Sequence, residues 1–161
     1  MVRPAVEADR WRIAEILVFA KRMAYRPIFQ DDFYSFHLLN VHDTAQEVDP
    51  SAVLVWEEDG ILKGVLTFGP ARDQDCLDCC EVYELYIDPF FQREGIGGRL
   101  MGEALGKTRN QPMVLWCLEP NRAALDFYHS QGFCPDGTRR LVEGTPVWEI
   151  RLRRPAPEPF N

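Results

Sequence analysis

Two sets of residues in this 161-residue chain have types and spacing suited to chemistry. The first is the run Gln92-Arg93-Glu94-Gly95-Ile96-Gly97-Gly98. Glycine reaches backbone conformations closed to other residues, and it lets a ligand come close to main-chain N–H groups. At the start of a helix those N–H groups have no internal partner and sit at the positive end of the dipole, an arrangement that suits phosphate. The same glycines would also serve a plain strand-to-helix turn. Two common phosphate patterns do not fit. Gly97-Gly98 is followed by Arg99-Leu100 where a Walker motif needs Lys and Ser or Thr, and Gly102 is displaced by one position from any third glycine of a dinucleotide motif.

The second set is titratable. Glu81 and Glu84 interrupt an apolar and aromatic run, Val82-Tyr83-Glu84-Leu85-Tyr86-Ile87, just upstream of the glycines. A carboxylate among apolar residues costs free energy unless it is paired or used. Strand alternation puts Glu81 on the face of Leu85 and Ile87, and Glu84 on the face of Val82 and Tyr86. Cys76-x-x-Cys79-Cys80 invites a metal, but a closed zinc site needs four ligands and no second pair follows, while His37, His42 and His129 are scattered. Five cysteines, an odd number, argue against a disulfide framework. The expectation is a loop with free thiols and no metal. Cys117 lies in an apolar run, where a thiol is usually inert.

The elements that must position these groups follow from periodicity. Val2-Arg3-Pro4 reads as a short strand. Glu7-Ala8-Asp9 offers a cap to a helix with Ile13, Ile16, Leu17, Ala20 and Ala24 on one face, which Arg26-Pro27 is expected to stop. Asp31-Asp32 opens a second helix, with Phe33, Phe36 and a packed His37 at helical spacing. Residues 51–57 and 61–68 pair as a hairpin around Asp59-Gly60, a dipeptide that favours positive backbone angles. A polar loop over 71–80, with Asp73, Asp75 and Asp78, leads into the strand at 82–87, the glycine turn and a helix to about Arg109. Residues 112–118 form the continuous apolar run of a strand buried on both faces. Asn121 caps the next helix, which Gln131-Gly132 ends. Phe133-Cys134 starts another strand, and 139–142 with 145–152 close the sheet around Glu143-Gly144. Hairpins early and helical crossovers late imply a mixed sheet.

Bulk properties set limits. Hydrophobic content of 46% with 27% charged residues is ordinary for one globular domain. No apolar run approaches the ~20 residues of a membrane helix, and Met1-Val2-Arg3-Pro4 lacks a signal-peptide core, so a cytoplasmic location and no membrane partner are expected. A formal net charge of −7 without a basic stripe speaks against nucleic acid and sooner for a cationic amine. Asp31, Asp32 and Asp73 are candidates to attract it.

With these elements in order, the chain resembles the GNAT superfamily of acyl-CoA-dependent N-acyltransferases over nearly its whole length. Two motifs carry the resemblance: Gln92-Arg93-Glu94-Gly95-Ile96-Gly97 after a strand and Asp88-Pro89, and Asn121-x-x-Ala124-x-x-Phe127-Tyr128 before Gly132-Phe133. It implies a single α/β (α+β type) domain over 1–153 with a Pro-rich tail at 154–161. Its mixed central sheet would have about seven strands, helices on both faces, and a splay between the fourth and fifth strands. It implies acetyl-CoA as cosubstrate, with pyrophosphate held at Gln92, Arg93, Glu94, Gly95, Ile96, Gly97 and Gly98. The pantetheine arm would lie along Leu85, Tyr86 and Ile87 and near Asn121, Ala124, Phe127 and Tyr128. The Ile87 N–H would polarise the thioester carbonyl, Tyr128 would be the general acid, and Glu84 is the candidate base. The reaction implied is direct attack by a primary amine in a ternary complex. A protein N-terminus or lysine as acceptor, and a non-catalytic acyl-CoA-binding module, are the alternatives. The acceptor would be shaped by 21–45, 71–80 and the hairpin at Glu143-Gly144; the tail and last strand leave a homodimer open.

Overall fold

The computed structural model describes residues 1–109 and 111–158. Seven strands form one mixed sheet: β1 (Val2–Pro4), β2 (Val53–Glu58), β3 (Ile61–Pro70), β4 (Cys80–Ile87), β5 (Met113–Leu118), β6 (Cys134–Leu141) and β7 (Trp148–Arg154). Their order is β1-β2-β3-β4-β5-β7-β6. The helices are α1 (Arg10–Phe29), α2 (Val41–Glu47), α3 (Ile96–Lys107) and α4 (Arg122–Ser130). This is the expected fold class and element order. β4 and β5 run parallel, with Cys80 opposite Met113 and Glu81 opposite Val114, at the start of both strands.

The chain is organised as two compact units. The first is Met1–Thr67 with Glu84–Glu103 and the second is Phe68–Tyr83 with Ala104–Asn161. In the first, the apolar face of α1 supplies Ile13, Ile16 and Leu17 to a core with Val53, Val55, Leu62 and Val65. The β2–β3 hairpin turns at Asp59 and Gly60, both at positive φ (52° and 75°), as the dipeptide predicts. In the second unit β5 is buried except at Trp116, and β7 lies between β5 and β6. Asn121 caps α4, its side-chain oxygen accepting the Ala124 N–H at 3.3 Å.

Four local expectations need correction. Pro27 does not stop α1, which continues to Phe29 and closes on Gln30 at φ 51°. Proline removes one N–H and crowds the preceding turn, but its fixed φ is helical, so a final turn survives. Asp31-Asp32 does not open a regular helix: its place is taken by a π-helical turn, Tyr34–Leu38, and α2 begins later, capped by Asn40, whose side chain accepts the Asp43 N–H at 2.9 Å. His37 is exposed and stacks on Phe33 rather than packing inside. β7 includes Arg154, opposite Met113, so the sheet ends one residue into the expected tail, where Pro155 offers no N–H. Residues 159–161 of that tail lie outside the described residues.

Candidate active site

β4 loses burial along its length. Cys80, Glu81 and Val82 are buried, Tyr83 is exposed, and Glu84, Leu85, Tyr86 and Ile87 are all half-buried. In the first unit the end of β4 runs into the glycine corner. Asp88 fixes the exit: its backbone N–H donates to Lys63 O at 2.9 Å and its carboxylate accepts the Phe90 N–H at 2.9 Å. The same carboxylate, almost fully buried, is ion-paired to Arg12 of α1, which also donates to Leu62 O at 3.1 Å. Gln92 then reaches back to Ile87 O at 3.4 Å.

The corner itself has the backbone expected of a cradle. Arg93 and Gly95 both adopt positive φ, 66° and 78°. For Arg93 that is a conformation few side-chain-bearing residues adopt; for Gly95 a Cβ would find open space but the same strained backbone. Residues 92–95 are exposed, and Ile96 is buried at 2% exposure, so the exposed turn is anchored to the core at Ile96. Arg99 N–H to Gly95 O, at 3.2 Å, is the first turn of α3 closing. The first N–H groups of a helix have no partner within it, a polarity that suits an anion such as a pyrophosphate. Gly64 of β3 makes room for the apolar side chains beneath the corner: a Cβ there would lie 2.7 Å from Ile87 Cδ1, 3.0 Å from Ile96 Cγ2 and 3.1 Å from Leu100 Cδ1.

Glu84 is not alone. Lys21 Nζ of α1 donates to Glu84 Oε1 at 2.6 Å, and the same ammonium sits 5.3 Å from the Tyr86 ring centroid. The hydroxyls of Tyr25 and Tyr86 share a hydrogen bond. Lys21, Tyr25 and Arg12 were absent from the sequence-derived site. Their partners lie 63, 61 and 76 residues away along the chain, so no local pattern announced them. One signal was available: Lys21, Tyr25 and Phe29 recur every four residues, a second stripe on α1 distinct from its apolar one.

In the second unit Glu81 is buried at 1% exposure and bound to Arg72, Nε to Oε2 at 2.5 Å. That Arg72 guanidinium lies 4.6 Å over the Tyr83 ring, whose hydroxyl donates to Pro70 O at 2.5 Å. Half-buried Tyr128 packs edge-to-face on Phe127 (5.2 Å) and Phe133 (6.0 Å). Ala124 sits in the first turn of α4, in the Asn121 cap. Burial pushes the Cys117 thiol up to about 12, which keeps it protonated and a poor nucleophile.

The expected free thiols of the 71–80 loop need revision. Cys76 and Cys79 form a disulfide with Cα atoms 5.4 Å apart. A tight turn, with Cys79 N–H on Cys76 O at 3.0 Å, brings them together. An odd cysteine count argues against a framework but not against one local pair. Cys80 and Cys117 are buried thiols and Cys134 an exposed one. Asp73 faces inward chemistry of its own, accepting from Trp116 Nε1 at 2.9 Å and from Arg151 at 3.2 Å. Asp32 pairs with Arg26 at 2.9 Å, and Asp31 accepts the Tyr34 N–H at 3.0 Å. All three acidic candidates for drawing in a cation therefore already have partners.

A model of the acetyltransferase (GNAT) family matches residues 11–133, from the start of α1 to the end of the Asn121 motif. The chain belongs to the GNAT acetyltransferase family. Among relatives of this GNAT chain, a probable N-acetyltransferase of Mycobacterium tuberculosis, Rv2775, is 38% identical over 99 residues, 58% of this chain and 56% of the relative. The L-amino acid N-acyltransferase MnaT of Escherichia coli is 31% identical over 84 residues, 50% of this chain and 49% of its own. The chain thus spans about half the length of the curated relatives it matches. In fold it resembles the PaiA N-acetyltransferase of Thermoplasma acidophilum solved with coenzyme A, with a TM-score of 0.74 at 17% identity over 96% of this chain and 98% of that one. It also resembles YncA of Salmonella typhimurium solved with acetyl-CoA, with a TM-score of 0.73 at 22% identity over 100% and 96%. No helix among the described residues is long and apolar enough to cross a membrane.

Proposed function

We propose that this GNAT chain transfers an acetyl group from acetyl-CoA to a primary amine, by direct attack of the amine on the thioester. The observation that carries the reading is the glycine corner, with Arg93 and Gly95 at positive φ immediately before α3. Solved neighbours of the same fold carry coenzyme A and acetyl-CoA, which supports the choice of cosubstrate. Residues 92–98 hold the pyrophosphate through backbone N–H groups. Leu85, Tyr86 and Ile87 run beside the pantetheine arm, and Asn121, Ala124 and Phe127 serve its other contacts.

Acetyl-CoA supplies an activated thioester. Glu84 takes a proton from the ammonium of the acceptor, directly or through water, because only the neutral amine is nucleophilic. The Ile87 N–H donates to the carbonyl oxygen as negative charge develops there. The N–C bond forms, the C–S bond breaks, and Tyr128 gives its phenolic proton to the departing thiolate, while the second proton lost by the amine nitrogen restores the phenol. A phenol, with an ordinary pKa near ~10, is still protonated at neutral pH. The products are an N-acetyl amide, free coenzyme A thiol and one proton released to solvent.

Calorimetric titration with acetyl-CoA tests the cradle, and thiol release against a panel of amines tests the transfer. Tight binding without release under any amine would favour the acyl-CoA-binding module instead. A protein N-terminus remains the second reading of the acceptor. It is favoured by a 42% identical stretch of 74 residues shared with a relative named N-alpha-acetyltransferase RimI, of Mycobacterium tuberculosis.

A further inference from the structure

The first unit contains a wall that the proposed chemistry does not use in full. Lys21, Tyr25 and Phe29 follow one another at intervals of four on α1, rising about 6 Å per step. Glu84 and Tyr86 are alternate residues on one face of β4, about 6.6 Å apart. The two repeats match closely enough to pair in register: Lys21 with Glu84 at 2.6 Å, and Tyr25 with Tyr86 through their hydroxyls. Beyond them the rings continue edge-to-face, Tyr86 on Tyr25 at 6.4 Å, Tyr25 on Phe29 at 5.7 Å and Phe29 on Tyr34 at 5.8 Å. All four rings are half-buried, so each keeps some surface for a ligand.

The ion pair at the head of this wall is neither sealed nor free. The side chains of Lys21 and Glu84 keep 21% and 30% exposure. We infer that the Lys21–Glu84 pair together with the Tyr86-Tyr25-Phe29-Tyr34 wall is the acceptor site, and that its acceptor is an α-amino carboxylate with an aromatic or extended apolar side chain. This rests on the proposed acetyl transfer and names its substrate class.

Charge conservation decides between acceptors. An α-amino acid carries an ammonium and a carboxylate on one carbon, a separation close to that of the ion pair it would enter. Its ammonium replaces Lys21 on Glu84, and its carboxylate takes up Lys21. Every charge is still paired after the exchange, and the amine is delivered to the base. A simple amine displaces Lys21 from Glu84 without giving it a new anion, which leaves two cations side by side in a partly desolvated site. The side chain then lies on the ring wall, where π faces and edges offer apolar area and preferred stacking geometry. Lys21 is therefore a specificity-determining residue.

The test uses the full chain with acetyl-CoA and three matched acceptors: L-phenylalanine, its amide, and phenethylamine, which lacks the carboxylate. The expected result is kcat/KM at least about 30-fold higher for the amino acid than for either of the others, with most of the difference in KM. Lys21→Met should bring that ratio to about one while acetyl-CoA affinity, measured by calorimetry, stays as in the wild type. Equal rates for the three acceptors, or a Lys21→Met variant that keeps the wild-type ratio, would overturn the inference. The wild-type comparison decides even if the variant does not fold. Acetylation of all amines without carboxylate preference defeats only this inference; absence of acetyl-CoA binding defeats the transfer reading beneath it, and this with it.

Discussion

β4 carries a glutamate in each half, and the two are held differently. Glu81, at the buried start, has a side chain 1% exposed and meets the guanidinium of Arg72, an arginine that is itself 66% exposed. Glu84, three residues on, keeps 30% exposure against Lys21. Both are carboxylates with a basic partner within hydrogen-bond reach. The first is closed off and reads as part of the packing of the 71–80 loop. The second keeps its partner at the surface, and it is the one we propose exchanges that partner for a substrate. A general base must be reachable as well as ionised, and burial separates the two more clearly than residue type does.

The comparison breaks most sharply on paired substitutions. Glu84→Gln is expected to lower kcat about 100-fold, within the usual range for a lost acid-base group, with the melting temperature nearly unchanged. Steady-state rates and a thermal melt on the same sample check this; a wild-type rate would remove Glu84 from the chemistry. Next in size is the other half of the strand. Arg72→Met leaves Glu81 buried without its cation and is expected to cost about 2 kcal/mol, lowering Tm by roughly 4–8 °C, with acetyl-CoA affinity intact. A variant as stable as the wild type would mean that Glu81 stays buried without needing Arg72. Tyr128→Phe follows, with an expected loss of about tenfold in kcat and little change in cofactor affinity; an unchanged rate would assign the tyrosine to packing with Phe127 and Phe133.

The smallest effect concerns pH. Arg151, 6% exposed, ties Asp75, Asp136 and Asp73 together. Its guanidinium holds the Asp75 carboxyl below the ordinary range. Asp136 is also lowered: burial opposes this, but the Thr138 N–H and Arg151 outweigh it. A carboxylate depressed in the folded state adds stability above its unfolded value of about 3.9, and that stability is lost as pH falls through the lower folded value. Arg151→Met should therefore lower Tm at neutral pH, with the gap to wild type closing below about pH 4. Melts across that range decide it; a gap independent of pH would mean the arginine acts through packing on Trp116.

Much of this was legible in the sequence alone. Asp59-Gly60, the apolar β5 run, the Asn121 cap and the glycine corner are local signals, and each fell where its chemistry demands. What was not legible is long-range or depends on what packs nearby. Lys21 reads as an ordinary helix lysine until β4 comes alongside α1 within the first unit. Pro27 reads as a helix stop because the pattern cannot show that one more turn is worth making. The Cys76–Cys79 bond depends on a tight turn, which a cysteine count does not describe. Glu81 and Glu84 look alike as carboxylates on one strand; the exposure and partner that distinguish them are set by packing.

Amine-dependent release of coenzyme A thiol from acetyl-CoA, read with a thiol reagent and corrected for the exposed Cys134, tests the central claim most directly. The account predicts release that requires both acetyl-CoA and the amine, falls about 100-fold in Glu84→Gln, and changes less than about threefold in Glu81→Gln. Release independent of the amine, or equal loss in the two variants, would contradict it.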